Sequence, residues 1–473
     1  MAPRSAGRPA SSSWGDEITL PALIEELSSP PAPADACARL LDLPYPLLFE
    51  SAARGEDTGG YSYLMADPSR VWLTHPDDPS DPLQQAARYL AEHHVAPIPG
   101  LPPFQGGVAG FLGYEFGRRL ERIPAPRSDD LGLPDAWLGA YGWVVVWDHG
   151  EGRAWVLAGP WDSGAAGPSP EERIRDIRTR LEGAGSAHGP NVAAPAASPA
   201  FRSGFTRDEY LRAVARVREY ILAGDIFQAN LSQRFAAPWP GDSFDFYRRL
   251  TCANPAPFAA FFQGDGYAVA SASPERFVSV DAGGRVETRP IKGTRSRGST
   301  PGEDRRLADE LLASEKDRAE NVMIVDLLRN DLSKACLPGT VEVPVLCALT
   351  SHPTVHHLES IVTGQLEPGR TALDLLRASF PGGSITGAPK VRAMEILAEL
   401  EPVARGVYCG AIGWMSVTGA MDTSIAIRTV TLTNERAYFH AGGGIVADSD
   451  PATEYQETLD KAAGIRRAFE STP

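Results

Sequence analysis

The sequence predicts an α+β fold, as a mixed domain or as an α/β sandwich, and three observations support this prediction. Helical periodicity alternates along the chain with short apolar runs that are typical of antiparallel strands. The 473 residues are enough to bury a large core. Hydrophobic residues make up 43% of the chain and charged residues 22%, which is typical of a globular protein.

Two stretches divide the chain. Residues 1–16 have no apolar run and are predicted to be a disordered tail. Residues 161–200 are rich in Pro, Gly and Ala and are predicted to be a linker that contains a short charged helix at 171–181. An N-terminal region at 17–160 and a C-terminal domain at 201–473 follow from these breaks.

The N-terminal region contains two strand-like runs, LLFES at 47–51 and WVVVW at 143–147. A Gly-rich segment, GGVAGFLGYEFGRR, lies between them at 106–119. The region is therefore predicted to contribute strands.

The C-terminal domain opens with an amphipathic helix that begins after Thr206 and ends at Gly224, its predicted C-cap. A long helix is predicted over 301–332 and a final helix over 451–470. The predicted strands of this domain are 227–235, 258–262, 267–271, 277–280, 410–416, 424–432 and 437–441.

The charge balance excludes two classes of partner. The chain carries 45 Lys plus Arg and 60 Asp plus Glu, a formal net charge of −15. Nucleic acid needs clustered basic side chains, and docking on anionic lipid needs the same, so neither partner is expected. A small anionic substrate is still compatible, because a local pocket can oppose the net charge.

Cysteine usage and hydropathy predict a cytoplasmic location. The five cysteines are odd in number and none is spaced as CxxC, which argues against a disulfide framework or a structural zinc site. No apolar run approaches the roughly 18 residues that span a bilayer. The first residues lack the apolar core of a secretory signal.

Lys292 is a lone lysine in the segment RPIKGTRSRG, between Pro and Gly. One interpretation is a basic surface loop. The other is an amine in a dry pocket, where desolvation lowers the pKa and leaves a neutral nucleophile.

Two pairs of carboxylates have helical spacing. Asp317 and Glu320 are three residues apart, as are Glu454 and Glu457, so each pair lies on one helix face. Each pair alone is typical of a solvated face. Together they predict a Mg²⁺ site, because Mg²⁺ prefers carboxylate and water ligands.

Two Gly-rich segments, FPGGSITGAPK at 380–390 and AGGGIVADSD at 441–450, match neither the P-loop nor the dinucleotide fingerprint. They are either tight turns or backbone N–H groups that bind an anion. Three further side chains are left with two roles each. Glu275 is a general acid or a partner of Arg276, His357 is a catalyst or a hydrogen-bonded histidine, and Arg428 faces a carboxylate or water.

These segments together resemble the chorismate-utilising enzymes. The string GDIFQANLSQRF, SASPERF, RPIKGT, AENVMIVDLLRND, VHHLES, FPGGSITGAPKVRAMEIL, YCGAIGW, MDTSIAIRT and AGGGIVADSDPATEYQETLDK has the family order over 224–463. The resemblance implies an α/β sandwich with an antiparallel sheet core that binds chorismate and Mg²⁺. LLFES and PPFQGGVAGFLGYE resemble the family's N-terminal subdomain.

Within the family, RPIKGT resembles the branch that aminates chorismate at C4. Anthranilate synthases carry Ala at the position of Lys292, and the water-adding members carry Lys at the position of Gln228. The resemblance implies formation of 4-amino-4-deoxychorismate on the path to para-aminobenzoate and folate. The alternative is 2-amination with loss of pyruvate, as in anthranilate synthase component I.

The resemblance also implies roles for individual residues. Glu275 would protonate the leaving C4 hydroxyl, Lys292 would attack C2, and His357 would lie near the ring. Glu320 and Glu457 would hold Mg²⁺, with Asp317 and Glu454 as further ligands or orienting groups. The implied substrate-binding residues are Gln228, Gly293, Thr294, Ser384, Tyr408, Arg428, Gly442, Gly444 and Lys461.

The ammonia source is expected to be another protein. None of the five cysteines lies in the Gly-x-Cys-x-Gly turn of a glutaminase. A separate glutamine amidotransferase subunit in a heterodimer would supply ammonia, in a transaminase-type transfer of the glutamine amide nitrogen. Ser51 stands where anthranilate synthases line a tryptophan pocket, and tryptophan binding is left open.

Overall fold

The computed structural model describes residues 22–52, 59–162, 167–183, 199–351 and 355–470. The predicted tail at 1–16 lies outside the described residues. The helices are α1 Pro33–Ala38, α2 Pro82–Glu92, α3 Gly117–Leu120, α4 Pro170–Glu182, α5 Arg207–Leu222, α6 Ser243–Ala253, α7 Pro301–Ala313, α8 Glu315–Ser333, α9 Ala372–Ser379, α10 Lys390–Leu400 and α11 Pro451–Glu470.

The strands form two sheets. They are β1 Leu23–Glu26, β2 Leu47–Glu50, β3 Tyr61–Met65, β4 Arg70–Thr74, β5 Gly107–Leu112, β6 Ala136–Tyr141, β7 Trp143–Asp148, β8 Arg153–Ala158, β9 Arg202–Ser203, β10 Gln228–Pro238, β11 Phe258–Gln263, β12 Tyr267–Ser273, β13 Arg276–Val280, β14 Arg285–Thr288, β15 Ile291–Ser296, β16 Glu342–Ser351, β17 Val355–Gln365, β18 Gly387–Ala388, β19 Ala411–Ser416, β20 Met421–Ile425, β21 Thr429–Thr433 and β22 Arg436–Ile445.

Both sheets are antiparallel, which confirms the predicted α+β class with an antiparallel core. The first sheet has the order β1-β8-β7-β3-β2-β11-β12-β21-β22-β10-β18, with β9 beside β10. The second has the order β15-β17-β14-β13-β20-β19-β5-β6-β4, with β16 beside β17. Strands from before and after 161–200 meet at β2 with β11 in the first sheet and at β5 with β19 in the second.

The sheets pack face to face and helices cover their outer faces. In β7, Val144 and Val146 lie in the core between the sheets, whereas Trp143, Val145 and Trp147 lie in the core under the helices. Successive side chains of a strand point to opposite faces. The uninterrupted WVVVW run is therefore the sequence signature of a strand that is covered on both sides.

Helix α4 lies within the stretch 161–200. It begins at a capping box formed by Ser169 and Glu172. Its apolar side chains Ile174, Ile177 and Leu181 are buried in the core on the outer face of the first sheet. The described part of this stretch thus includes a docked helix, at the place where a short charged helix is predicted.

The predicted long helix over 301–332 is wrong, because the structure has two helices there. Ser314 separates them, with an extended backbone and a side chain that accepts a hydrogen bond from the Asp317 amide. Its hydroxyl satisfies one of the amide groups that a helix leaves unpaired at its start. The predicted strand 424–432 is also two strands, divided at Arg428, whose φ of 50° is left-handed.

Two helix predictions are confirmed. Helix α5 begins after the N-cap Thr206 and ends at Leu222, so its C-cap is Ala223, and the predicted C-cap Gly224 follows with a φ of 83°. Helix α11 has the predicted bounds. Among the described residues, no helix has both the length and the apolar character needed to cross a membrane.

We expect Ser314→Ala to lower the free energy of unfolding by about 1 kcal/mol, because the start of α8 loses its cap. The shift is measured by thermal unfolding against Ser333→Ala, which removes an exposed hydroxyl near the other end of the same helix. Equal unfolding midpoints for the two variants would contradict the capping role.

Candidate active site

Lys292 lies in β15 and not on a solvated loop. The strand pairs with β17, and its register shifts between Lys292 and Thr294, where Gly293 has a φ of 79°. The part-buried amine donates a hydrogen bond to the Ser384 carbonyl at 3.0 Å. Burial lowers the pKa of Lys292, although the nearby Glu320 and Glu275 carboxylates oppose the shift.

Glu275 is buried beside this amine. Its Oε1 accepts a hydrogen bond from the Ser384 hydroxyl at 2.7 Å. Burial raises the pKa of Glu275 to about 7, against the hydrogen bond from Ser384 and the charge of Lys292. Its chain neighbour Arg276 pairs with Asp422 instead. The side chain is therefore a carboxyl group that can hold a proton near neutral pH.

Ser384 joins the two groups because its segment folds into a turn between them. The residues Gly383–Ile385 form one turn of 3₁₀ helix. Strand β18 follows and pairs with the start of β10, where Gln228 lies opposite Ala388. The predicted Gly-rich segment thus places a hydroxyl on the acid and a carbonyl on the amine.

The Glu454 and Glu457 carboxylates of α11 face β22. A Cβ placed on Gly443 would lie 3.2 Å from Glu454 Oε2 and 3.3 Å from Glu457 Oε1, so a side chain at 443 would crowd both carboxylates. Glu454 Oε1 accepts a hydrogen bond from the Ser449 hydroxyl at 2.6 Å. Its Oε2 is buried and has no hydrogen-bond partner within the described residues.

Lys316 connects the two acidic helices. Its Nζ lies 3.9 Å from Glu320 Oε1 on its own helix and 4.0 Å from Glu454 Oε1 on α11. Asp317, the other predicted ligand of α8, is instead paired with Arg295 at 3.2 Å. Sequence reasoning missed Lys316, although its i,i+4 spacing from Glu320 was visible.

The pKa values of these carboxylates are shifted in different directions. Burial raises the pKa values of Glu320 and Glu454, and neighbouring carboxylates add to the shift. Burial acts on Glu457 in the same direction, but the Lys461 ammonium at 2.7 Å outweighs it, so the pKa of Glu457 is lowered. A cluster with this much like charge needs cations for compensation.

The donor set matches a hard divalent cation in type. Two helices contribute carboxylates, and one buried Glu454 oxygen is unpartnered, which is the kind of atom that a bound cation satisfies. As arranged in the described ranges, no three His, Cys, Asp or Glu side chains already converge on one point. Lys316 and Lys461 stand among the acids as counter-charges.

Gln228 lies against Gly444 of β22. It is buried, and its Oε1 has no hydrogen-bond partner among the residues described. A Cβ on Gly444 would lie 2.1 Å from Gln228 Nε2, so the amide occupies the space that a side chain at 444 would fill. Lys461 Nζ donates to the Gly442 carbonyl at 2.9 Å.

Three other predicted residues take separate positions. His357 is buried on β17, with Nδ1 2.9 Å from the Thr294 hydroxyl on β15. Tyr408 is buried and stacks on the His440 ring at a centroid distance of 4.9 Å. Arg428 is part-buried, and burial lowers its pKa. Its guanidinium makes no hydrogen bond or ion pair to another described residue, so it can bind an anion.

Ser51 belongs to a different part of the molecule. It is buried, its amide donates to the Ser62 hydroxyl at 3.1 Å, and its own hydroxyl donates to the Pro257 carbonyl at 3.3 Å. Ser51 does not itself line the nearby cavity of about 770 Å³, whose lining includes its chain neighbour Glu50 and also Trp414. These lining residues come from both sheets.

Comparison with known proteins gives consistent results. The family model described as chorismate binding enzyme matches residues 46–467. The chain is 42% identical over 444 residues to aminodeoxychorismate synthase component 1 of Salmonella typhimurium, covering 91% of this chain and 94% of that protein. It is 40% identical over 474 residues to anthranilate synthase component 1 of Pseudomonas putida, covering 95% of each.

A solved structure has the same fold. The crystal structure of anthranilate synthase component I from Streptococcus pneumoniae TIGR4 superposes with a TM-score of 0.75 at 35% identity. The match covers 86% of this chain and 92% of that chain.

The buried acid predicts a pH-dependent cost in stability. Because the pKa of Glu275 is raised from 4.5 to about 7 by folding, the unfolded chain ionises first as the pH rises, and the folded state loses stability up to about pH 7. The full cost is roughly 3 kcal/mol. We expect Glu275→Gln to raise the thermal midpoint at pH 8 more than at pH 5.

The control for this measurement is Glu342→Gln, which neutralises an exposed carboxylate on β16. Its effect should not change with pH in this way. A gain from Glu275→Gln that is the same at pH 5 and pH 8 would show that Glu275 ionises normally in the folded protein.

Proposed function

The chain belongs to the family of chorismate binding enzymes, and on that premise we propose that it aminates chorismate at C4 to give 4-amino-4-deoxychorismate. The observation that carries this proposal is the contact of Ser384 with both Lys292 and Glu275. It places an amine with a lowered pKa beside a carboxyl group that is protonated near neutrality.

Loss of the C4 hydroxyl needs an acid, because hydroxide is a poor leaving group. Glu275 supplies the proton, and the C4 oxygen leaves as water. Positioned general acids contribute roughly 10²–10⁴-fold to a rate. The raised pKa of Glu275 keeps the proton available at the pH of the cell.

Lys292 supplies the electron pair. Its neutral Nζ bonds to C2, the ring double bonds shift toward C4, and the C4–O bond breaks. Ammonia then bonds to C4, the double bonds shift back, and the C2–N bond breaks to release the neutral amine. The proton that the new C4 ammonium loses returns to Glu275, so the net change is chorismate plus ammonia to the 4-amino product plus water.

Other residues hold the substrate in this account. Chorismate has two carboxylates, and the cationic groups able to meet them are Arg428 and Lys461. The hydroxyl of Ser384, the ring of Tyr408 and the glycine amides near Gly442 and Gly444 complete the proposed binding surface. Gln228 offers an amide where a basic side chain would be needed to activate water, which disfavours a water-adding reaction.

We also propose that Mg²⁺ is held by Glu320 and Glu457, with Glu454 completing the set through its unpartnered oxygen. When bound, the cation neutralises a substrate carboxylate. Asp317 lies outside this proposed set of direct ligands, because Arg295 already pairs with it.

Ammonia is proposed to come from a glutamine amidotransferase subunit. The name component 1 of the relatives supports a partner, and none of the five cysteines lies in a glutaminase nucleophile turn. All five are free thiols, which fits the proposed cytoplasmic location. The cavity near Ser51 is proposed to bind tryptophan, with Glu50 available to the amino group.

The second candidate is 2-amination with pyruvate loss, which the similarity to anthranilate synthases supports. Incubating the full chain with chorismate, Mg²⁺ and ammonium and identifying the product by mass and NMR separates the two. A 4-amino product is expected, and a 2-amino product or no aminated product would overturn the proposal.

Lys292→Ala should lose most 4-amination, with residual product shifted toward C2, because the nucleophile is removed. Lys292→Arg is the matched variant, since arginine keeps the positive charge but does not become neutral. Both variants should lose most 4-amination in the same product assay. Substantial activity in the arginine variant would show that charge, and not nucleophilicity, is what position 292 supplies.

Glu320→Gln and Glu457→Gln should each raise the Mg²⁺ concentration needed for half-maximal rate about tenfold or more, because each removes a charged ligand. Calorimetry with Mg²⁺ alone should show weaker binding. Glu315→Gln removes the same charge from an exposed position of α8 and should change neither quantity. An unchanged Mg²⁺ requirement in both ligand variants would exclude these residues.

A further inference from the structure

Arg405 is a buried arginine in the loop between α10 and β19, and it has no part in the proposed reaction. Its guanidinium donates four hydrogen bonds. Two go to Glu401, at 2.8 and 2.7 Å, one goes to the Asn230 carbonyl at 2.6 Å, and one goes to the Ile385 carbonyl at 3.2 Å. Three separate parts of the chain therefore meet on one side chain.

Two of these parts carry the site. Ile385 follows Ser384 in the 3₁₀ turn, and Asn230 lies on β10, two residues after Gln228. The backbone amide of Asn230 also donates a hydrogen bond to the Thr386 carbonyl at 2.8 Å. Arg405 thus forms hydrogen bonds with both the turn that contains Ser384 and strand β10, at the point where the turn and the strand are in contact.

The arginine is itself held from both sides. Glu115, on the N-terminal Gly-rich segment, accepts hydrogen bonds from the Arg405 and Gly406 amides, both at 2.9 Å. The Tyr114 ring centroid lies 4.4 Å from the guanidinium carbon. Glu401 is fixed in turn by the Ser232 amide and hydroxyl, each at 2.8 Å.

The cost of burial favours a role in positioning. A buried ion pair is weak evidence for stability, because desolvation offsets the attraction between the charges. What a planar guanidinium provides instead is several hydrogen bonds in a fixed geometry. This one ends at the carbonyl beside Ser384.

We propose that Arg405 is a positioning residue whose guanidinium fixes the Ser384–Ile385 turn, so that the Ser384 hydroxyl and carbonyl hold Glu275 and Lys292 in their reacting arrangement. The inference rests on the proposed function for its kinetic consequences. Its structural consequence, the place of the turn, does not depend on any activity.

The test is Arg405→Lys, which keeps the charge but loses the planar set of donors. The kcat for 4-amination should fall about 10²-fold, the cost of a misplaced reacting group. The KM for chorismate should stay within about twofold, because the carboxylate-binding residues are unchanged. At a fixed concentration of free ammonia, the decrease of kcat at high pH should shift to a higher pH, because Glu275 loses the hydrogen bond that lowers its pKa.

The matched control is Arg249→Lys. Arg249 is fully buried on α6 and pairs with Asp245 at i,i+4 spacing, as Arg405 does with Glu401. It should lose stability without a shift in the pH at which kcat decreases. Equal kcat losses in the two variants with unshifted pH profiles would mean a general packing defect and would overturn the proposal.

A crystal structure of Arg405→Lys gives an answer without substrate. Displacement of Ser384 from Glu275 or Lys292 supports the proposal, and an unmoved turn overturns it. If this variant does not fold, Glu401→Gln, which keeps the shape of the acceptor, is measured in the same ways. A wild-type chain that makes no 4-amino product would refute the proposed function alone, because the position of the turn is read separately.

Discussion

The site depends on one residue, Ser384, that contacts both an acidic and a basic side chain. The Ser384 hydroxyl donates a hydrogen bond to Glu275, and the Ser384 carbonyl accepts one from the Lys292 amine. Burial is the largest influence on both pKa values, raising that of the acid and lowering that of the amine. Their mutual attraction acts in the opposite direction and is smaller. The pair is therefore held toward its neutral forms, and an acid and a nucleophile stand side by side.

Lysine usage fits this account. The chain has 45 Lys plus Arg, yet only five are lysines, at 292, 316, 334, 390 and 461. Three of these lie among the site carboxylates or against Ser384. Arginine remains charged in proteins, whereas burial readily shifts the pKa of a lysine. Position 292 needs a group that can become neutral, and positions 316 and 461 supply compact counter-charges near Glu320 and Glu457.

The sequence predicts what is local and misses what is long-range. Helix α11 and both acidic pairs follow from 3.6-residue periodicity, which is encoded within a few turns. The break at Ser314 is missed, because a serine also fits inside a helix and only cap geometry distinguishes the two cases. The pairing of β2 with β11 joins segments about 200 residues apart, which no local pattern specifies. For the same reason the sequence offers Lys292 and Glu275 as separate candidates, and only the turn at Ser384 unites them.

The most direct measurement is peptide mass spectrometry of the full chain after incubation with chorismate and Mg²⁺ in the absence of ammonia. If the Lys292 amine is neutral and reaches the ring, its peptide gains the mass of chorismate less one water, and the other four lysines stay unmodified as internal controls. Glu275→Gln should prevent the modification. An unmodified Lys292 peptide from a chain that nevertheless forms the 4-amino product would contradict the account, because the lysine would then not be the nucleophile.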